Sequence, residues 1–218
     1  MIQLEKVCSP ADISALIGLA GHGEFRDGKT TAGRAARQVK DNTQLAPGAV
    51  RETVSKMVQK SLEQHPLFKA YAQPKKFIRT MLSRYTEGME YGAHTDEPLM
   101  SGLRVDLSFT LFLAEPDTYE GGELVLLGAS DQTEIKLAAG DAVLYPTQAL
   151  HRVNPVISGE RLAAVGWVRS YIRDPLQRET LFELDIALRS VFEKDGKTPL
   201  YDTLSKTRAN LFRMWADD

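Results

Sequence analysis

Three potential metal donors, His94, Asp96 and His151, stand in one strand-rich stretch, and the fold must carry the third back to the first two. In an extended strand, side chains at i and i+2 point the same way, so His94 and Asp96 can reach one point while Thr95 turns away. His151 opens a second extended run, HRVNPVI, and after Ser158-Gly159-Glu160 the chain returns as RLAAVGWVRSYI. Read as a hairpin with a three-residue loop, this pair sets Ile157 opposite Arg161, Val153 opposite Val165 and His151 opposite Trp167. All six then share one face of a sheet. Arg161 stands roughly 20 Å of strand from the metal end in that register, and a one-residue slip would turn it outward.

The donor set has a chemical meaning. Two imidazoles and one carboxylate on one face of a metal suit non-haem iron(II) and leave positions open for other ligands. Arg161 adds a cation at a distance that a long arginine and a five-carbon diacid can bridge together. His22, in the glycine-flanked AGHGEF, and His65, before Pro66, read as structural or solvated instead.

Other segments bound the fold. Ser9 and Pro10 read as the N-cap and first residue of a helix ending near Leu19. A glycine-rich passage from Gly21 to Gly33 leads to an extended segment over 38–45. Pro47 then starts a helix to about Gln64, with Val50, Val54, Met57, Val58 and Leu62 as its apolar stripe. From about Lys76 to Ile172 strands dominate: FIRTMLSRY, VDLSFTLFL, ELVLLG, TEIKLAA and DAVLYP join the pair already described. Many short strands between glycine, proline and aspartate turns indicate a barrel or sandwich. In VDLSFTLFL, Leu107, Phe109, Leu111 and Leu113 form a packing face, while Asp106, Ser108, Thr110 and Phe112 form a face able to line a wet cavity. Gly121-Gly122 and Gly140-Asp141 read as tight turns, and Trp167 as an aromatic wall beside His151. After Asp174-Pro175 the pattern becomes helical. Leu181, Leu184, Leu188 and Val191 mark one helix, and Leu200, Leu204, Leu211 and Trp215 a second. Phe182, Phe192, Phe212 and Trp215 exceed one narrow stripe, so this helical pair either packs on the core or also builds a homo-oligomer.

Three stretches carry a resemblance to a known family: RYTEGMEYGAHTDEP (84–98), LRVDLSFTLFLAEPDTYEGGEL (103–124) and GDAVLYPTQALHRVNPVISGERLAAVGW (140–167). The chain resembles the prolyl/lysyl-hydroxylase branch of the Fe(II)/2-oxoglutarate dioxygenases. Within it, the chain is similar to the small bacterial PKHD-type hydroxylases associated with iron uptake, the PiuC-like proteins. The resemblance implies a mainly β fold with flanking helices: a double-stranded β-helix, or jelly roll, over 1–174 and a C-terminal α-helical extension over 175–218. It implies Fe(II) ligation by His94, Asp96 and His151, and a salt bridge from Arg161, assisted by Tyr85, to the distal carboxylate of 2-oxoglutarate. L-Ascorbate is the implied reductant. The implied reaction couples oxidative decarboxylation of 2-oxoglutarate to hydroxylation of a small-molecule or peptide substrate, with molecular oxygen consumed.

Composition fits that reading and weakens its rivals. The net charge of −2 offers no broad attraction for nucleic acid, which disfavours a nucleic-acid demethylase. The one cysteine, Cys8, excludes an internal disulfide and suits a reducing compartment, so the expected location is cytoplasmic. The charged opening MIQLEKVCSP is unlike a secretory signal, and no run approaches the roughly 20 apolar residues of a membrane span. A zinc hydrolase would need a general base near the metal, and no His-Glu-x-x-His helix is present. A non-catalytic iron-binding or sensing barrel is the remaining alternative, but metal binding alone gives Arg161 no purpose.

Overall fold

Helices begin where the sequence supplies caps. In a computed structural model describing residues 1–217, strand β1 (Ile2–Leu4) precedes helix α1 (Pro10–Gly21), whose N-cap Ser9 forms a capping box with Asp12. Strand β2 (Phe25–Asp27) leads through 3-10 turns at Gly28–Thr31 and Ala36–Val39 to strand β3 (Thr43–Leu45). The extended segment expected over 38–45 is therefore shorter. Helix α2 (Ala49–Gln64) buries Val54, Val58 and Leu62, with Val50 and Met57 packed partly against the same core. A further helix not anticipated from the sequence, α3 (Pro66–Ala72), starts at once. His65 caps it, its Nδ1 accepting from the Phe68 amide at 3.4 Å, so a chain stop for α2 doubles as a start signal.

The middle of the chain holds β4 (Pro74–Tyr85), β5 (Tyr91–His94), β6 (Leu99–Met100), β7 (Leu103–Arg104) and β8 (Leu107–Phe112). It continues through β9 (Tyr119–Gly121), β10 (Leu124–Leu127), β11 (Gln132–Ile135) and β12 (Ala142–Pro146). Strands β13 (Leu150–Val153), β14 (Val156–Gly159) and β15 (Arg161–Ser170) complete it, and helices α4 (Pro175–Asp195) and α5 (Pro199–Trp215) follow. A seven-stranded sheet in the order β1-β12-β8-β15-β4-β3-β2 lies over a four-stranded sheet in the order β11-β10-β13-β5. This is the antiparallel double-stranded β-helix, the jelly roll implied by the sequence, with helices around it.

Strand alternation decides what lies on each side of the larger sheet. Leu107, Phe109 and Leu111 pack with Leu16, Ala20, Val54, Val58, Leu62 and Phe68 of the helices. Tyr85, Phe112, Val143 and Tyr145 pack inward with Leu124, Ile135 and Val153 of the smaller sheet. The two faces of VDLSFTLFL therefore separate as the sequence indicates.

The helical extension docks mainly through α4. Leu181 and Leu188 are buried, and the buried Arg178 donates through Nη1 to the carbonyls of Ile172 at 2.8 Å and Arg173 at 3.0 Å. Helix α5 has no fully buried side chain and is held by contacts at its margins. Arg208 grips Asp185 with two hydrogen bonds of 2.7 and 2.9 Å, and Phe212 meets Tyr171 edge-on. Beyond α5, Ala216 bridges Ile172, the Asp217 amide donates to the Tyr171 carbonyl at 2.8 Å, and the Asp217 carboxylate pairs with Arg104.

Candidate active site

His94 ends β5, and the antiparallel register of β5 with β13 sets His151 directly across from it. Asp96 lies two residues beyond the strand, in the following loop, and not within a strand as its spacing alone would have it. Even so the three side chains converge, with donor atoms all within 4.8 Å of one another. Asp96 Oδ1 is 3.9 Å from His94 Nε2, and Oδ2 is 3.8 Å from His151 Nε2.

Hydrogen bonds around the cluster orient it. His94 Nδ1 lies 2.9 Å from the Gly92 carbonyl, and His151 Nδ1 lies 2.9 Å from the Ala149 carbonyl. A carbonyl only accepts, so each ring carries a proton on Nδ1 and turns Nε2 toward Asp96. Ser108 Oγ donates to Asp96 Oδ2 at 2.7 Å. Burial, then the neighbouring His151, pushes the His94 pKa down to about 4, so this ring is neutral near pH 7. Two ring Nε2 atoms and a carboxylate converge on one point. The donor set and its outer hydrogen bonds fit a divalent metal. Tyr91 stacks on His94 with ring centroids 3.6 Å apart, and Tyr145 stands edge-on to His151.

The hairpin expected between HRVNPVI and RLAAVGWVRSYI is not a single ladder. Asn154-Pro155 interrupts it, and proline has no amide to donate. Strand β13 pairs with β10 and β5, β14 with β9, and β15 with β4 and β8. His151 and Arg161 thus belong to opposite sheets and look at each other across the interior. Trp167 stands opposite Arg79 and Ser108, not opposite His151, yet it lines the same cavity. Ile157, placed inward by the hairpin register, is exposed.

The cavity, about 300 Å³, runs from the His-Asp-His cluster to Arg161 and is walled between by Thr110, Leu124, Val153 and Val165. Arg161 is 1% exposed, and its Nε and Nη1 have no hydrogen-bond partner. Its guanidinium lies over the rings of Tyr85, at 5.2 Å, and Phe112, at 5.5 Å. Tyr85 is paired with it across the β4–β15 ladder. Gly121 and Gly122 form the expected turn, with φ of +74° and +67°. Gly122 also borders the site: a Cβ there would stand 3.0 Å from Arg161 Cδ. Ser108, on the wet face of β8, touches the Asp96 carboxylate. His22 and His65 lie outside the cavity.

Several lining residues carry little signal in sequence. Tyr91 and Asn42 enter the wall, and both side-chain polar atoms of Asn42 are buried without a partner. Lys40 and Arg79 are there as well. Even Tyr91, on the same strand as His94, stands three residues from it, a spacing that would turn it to the other face, and a register shift between β5 and β13 brings it back. Among the described residues no helix is long and apolar enough to cross a membrane.

Comparison with known proteins agrees with this arrangement. Residues 80–169 match the family model of the 2OG-Fe(II) oxygenase superfamily, and residues 176–217 match that of the PKHD-type hydroxylase C-terminal domain. A PKHD-type hydroxylase of Maricaulis maris is 54% identical over 218 residues, covering all of both chains. One from Picosynechococcus is 46% identical over 216 residues, covering 99% of each. A Trichoplax adhaerens prolyl hydroxylase solved with a peptide fragment shares the fold at TM-score 0.60 and 15% identity, covering 84% of this chain and 86% of that one. A Pseudomonas putida prolyl-4-hydroxylase aligns at TM-score 0.55 and 19% identity, covering 78% and 91%. Fold and site define a dioxygenase that uses Fe(II) and 2-oxoglutarate, an oxidoreductase. Within that class, the chain belongs to the PKHD-type hydroxylases.

Proposed function

We propose that His94, Asp96 and His151 hold one Fe(II), and that Arg161 with Tyr85 holds the distal carboxylate of 2-oxoglutarate, for hydroxylation of a small-molecule or peptide substrate. The observation that carries this reading is the buried guanidinium of Arg161, its Nε and Nη1 without hydrogen-bond partners, at the far end of a cavity that begins at the metal donors. A buried charge without a counter-ion is costly, by several kcal/mol in effect, and a diacid anchored at the metal relieves that cost. A non-catalytic iron-binding barrel leaves it unrelieved.

When bound, Fe(II) and 2-oxoglutarate supply oxidative decarboxylation to succinate and carbon dioxide and the oxidising power for hydroxylation. The protein supplies position. The two Nδ1–H bonds to carbonyls hold the rings with Nε2 directed inward, and Ser108 fixes the Asp96 carboxylate. Arg161 offers a planar, permanently charged fork that lysine reproduces incompletely. Leu124, Val153 and Val165 keep water from the path between the two ends.

L-Ascorbate fits as the reductant, because the metal must return to Fe(II). The one cysteine supports a reducing, cytoplasmic setting. The association of similar proteins with iron uptake makes siderophores and proteins of that pathway candidate substrates, and the net charge of −2 gives nucleic acid no evident hold. The change of pattern at Asp174-Pro175 supports dividing the chain into a dioxygenase domain, 1–174, and a helical extension, 175–218. Leu176, Phe192, Leu200 and Met214, all exposed on that extension, support homo-oligomer formation through it. The test is substrate-stimulated succinate formation with Fe(II), oxygen and 2-oxoglutarate against a panel of iron-chelating metabolites and peptides. Succinate formation indifferent to Fe(II) would refute the reading.

A further inference from the structure

The larger sheet gives the cavity a direction. Along β4 the alternate residues Arg79, Met81, Ser83 and Tyr85 line it, and along β15 Arg161, Val165 and Trp167 do so. The cavity-lining part of this ladder runs from the Arg161–Tyr85 pair to the Trp167–Arg79 pair, roughly 20 Å apart at strand rise. Trp167 also faces Ser108, which holds Asp96, so the metal donors lie toward the second end. A diacid reaching from the metal to Arg161 fills the first half of the cavity. Arg79, which is exposed, belongs to the other half and to the mouth.

A second cation joins it there. Lys40 is only 4% exposed, donates to Thr31 Oγ1 at 3.0 Å and lies 4.9 Å from the Tyr91 ring centroid. Among the described residues no carboxylate stands within salt-bridge distance of Lys40 or Arg79, and the Arg79 side chain makes no hydrogen bond. Lysine is almost never fully buried without a partner. Burial first brings the Lys40 pKa down to about 8; Asp96 and Asp27 act to raise it and Arg79 to lower it. Of the two carboxylates, Asp96 acts on it more strongly, but in the reading above Asp96 is committed to the metal. The Trp167 indole Nε1 is buried without a partner on the same wall. This half of the cavity therefore offers donors and two positive charges, and its one further carboxylate, Glu97, forms no ion pair with either cation.

Resting on the dioxygenase reading above, we propose that Lys40 and Arg79 form an anion-binding subsite at the mouth, and that the primary substrate presents a carboxylate to it. Trp167 supplies the adjoining wall and one further donor. The carboxylate then holds the substrate by an end remote from the carbon to be hydroxylated. Charge-assisted bonds in a partly dry site make that anchor selective for the acid over its neutral amide.

The test uses Mn(II)-loaded protein saturated with 2-oxoglutarate, titrated with benzoate and with benzamide by calorimetry. A glutamate tripeptide capped at both ends, and its glutamine counterpart, form a second pair. The acid should bind at least about tenfold more tightly than its amide in one pair or both, as expected of a charged contact. Preference in the peptide pair assigns the carboxylate to a peptide side chain, and preference confined to benzoate assigns it to a small acid. Lys40→Met combined with Arg79→Gln should abolish the preference, and Lys40→Arg should restore part of it. Equal binding of acid and amide, no binding of either, or a preference that survives the double substitution overturns the subsite. In the same samples 2-oxoglutarate affinity is measured first, in parent and in Arg161→Ala. Failure there counts against the co-substrate assignment alone, since the acid-to-amide ratio is read separately.

Discussion

Arg161 and Tyr85 face each other at one end of the long antiparallel ladder that joins β15 to β4, so the buried guanidinium rests on an aromatic ring from the neighbouring strand. The ring fixes the arginine from below and leaves Nε and Nη1 free for a ligand. Arg161→Ala should keep its metal and lose 2-oxoglutarate affinity by roughly 2–5 kcal/mol, at least about a thirtyfold rise in Kd. Arg161→Lys should retain part of the binding. Anaerobic titration of the Fe(II) protein, followed by the metal-to-ligand absorption band, measures both, and an unchanged Kd in the alanine variant removes Arg161 from the pocket.

The metal assignment has its own measurement. Replacing His94, Asp96 or His151 by alanine should abolish stoichiometric Fe(II) binding in anaerobic titration. Ser108→Ala should weaken it by about 10–100-fold, because the Asp96 carboxylate loses the hydroxyl that orients it. Parent-like Fe(II) affinity in Asp96→Ala would mean that the ligands lie elsewhere.

Gly122 combines a left-handed backbone with close approach to the arginine. Gly122→Ala should cost about 1–2 kcal/mol from φ alone and press on Arg161, raising the Kd for 2-oxoglutarate as well. Urea denaturation and the same anaerobic titration separate the two effects. Gly88→Ala, at φ +81° with nothing near its Cβ, should show the backbone cost without the binding loss.

Metal-free protein should lose stability as pH falls. The His94 pKa is about 4 in the folded chain against an ordinary 6.5, so between these values the unfolded state takes up a proton that the folded state refuses. Stability is full above about pH 6.5 and declines toward pH 4. Thermal melts of the metal-free parent and of His94→Gln should differ in slope across that window. Identical slopes would place the acid sensitivity in other groups.

The extension should prove integral to the domain. Leu181 is fully buried, so Leu181→Ala should cost about 2–5 kcal/mol in urea denaturation. Removal of everything after Arg173 should give an unstable or aggregating protein. A truncated chain as stable and active as the parent would show α4 and α5 to be an appendage.

What the sequence revealed was mainly local. Caps, apolar stripes and strand alternation placed α1, α2, most strands and both faces of β8, because each is set within a few residues. Asp96 reached the cluster despite lying off the strand, since a two-residue offset tolerates either geometry. Pairing between distant strands was not legible. In sequence His151 and Arg161 read as members of one hairpin, but Asn154-Pro155 sends the chain from one sheet to the other, and no local pattern marks such a crossing. Lys40 was invisible for a related reason: an isolated lysine in a loop becomes part of a cavity only after β5 is laid beside it.

Arg104 binds both Asp106, at the entrance to β8, and Asp217, beyond α5. It lies in the short β6–β7 hairpin whose Leu99, Met100 and Ser101 line the cavity mouth. A substitution anywhere along α4 or α5 that shifts Asp217 thus tugs on the rim through which substrate must pass. In a mutational survey, defects mapped to those helices would divide into two populations, one depleted in abundance and the other normal in abundance but altered in KM. The second would mark the leverage that a distant helix pair exerts on an entrance it never touches.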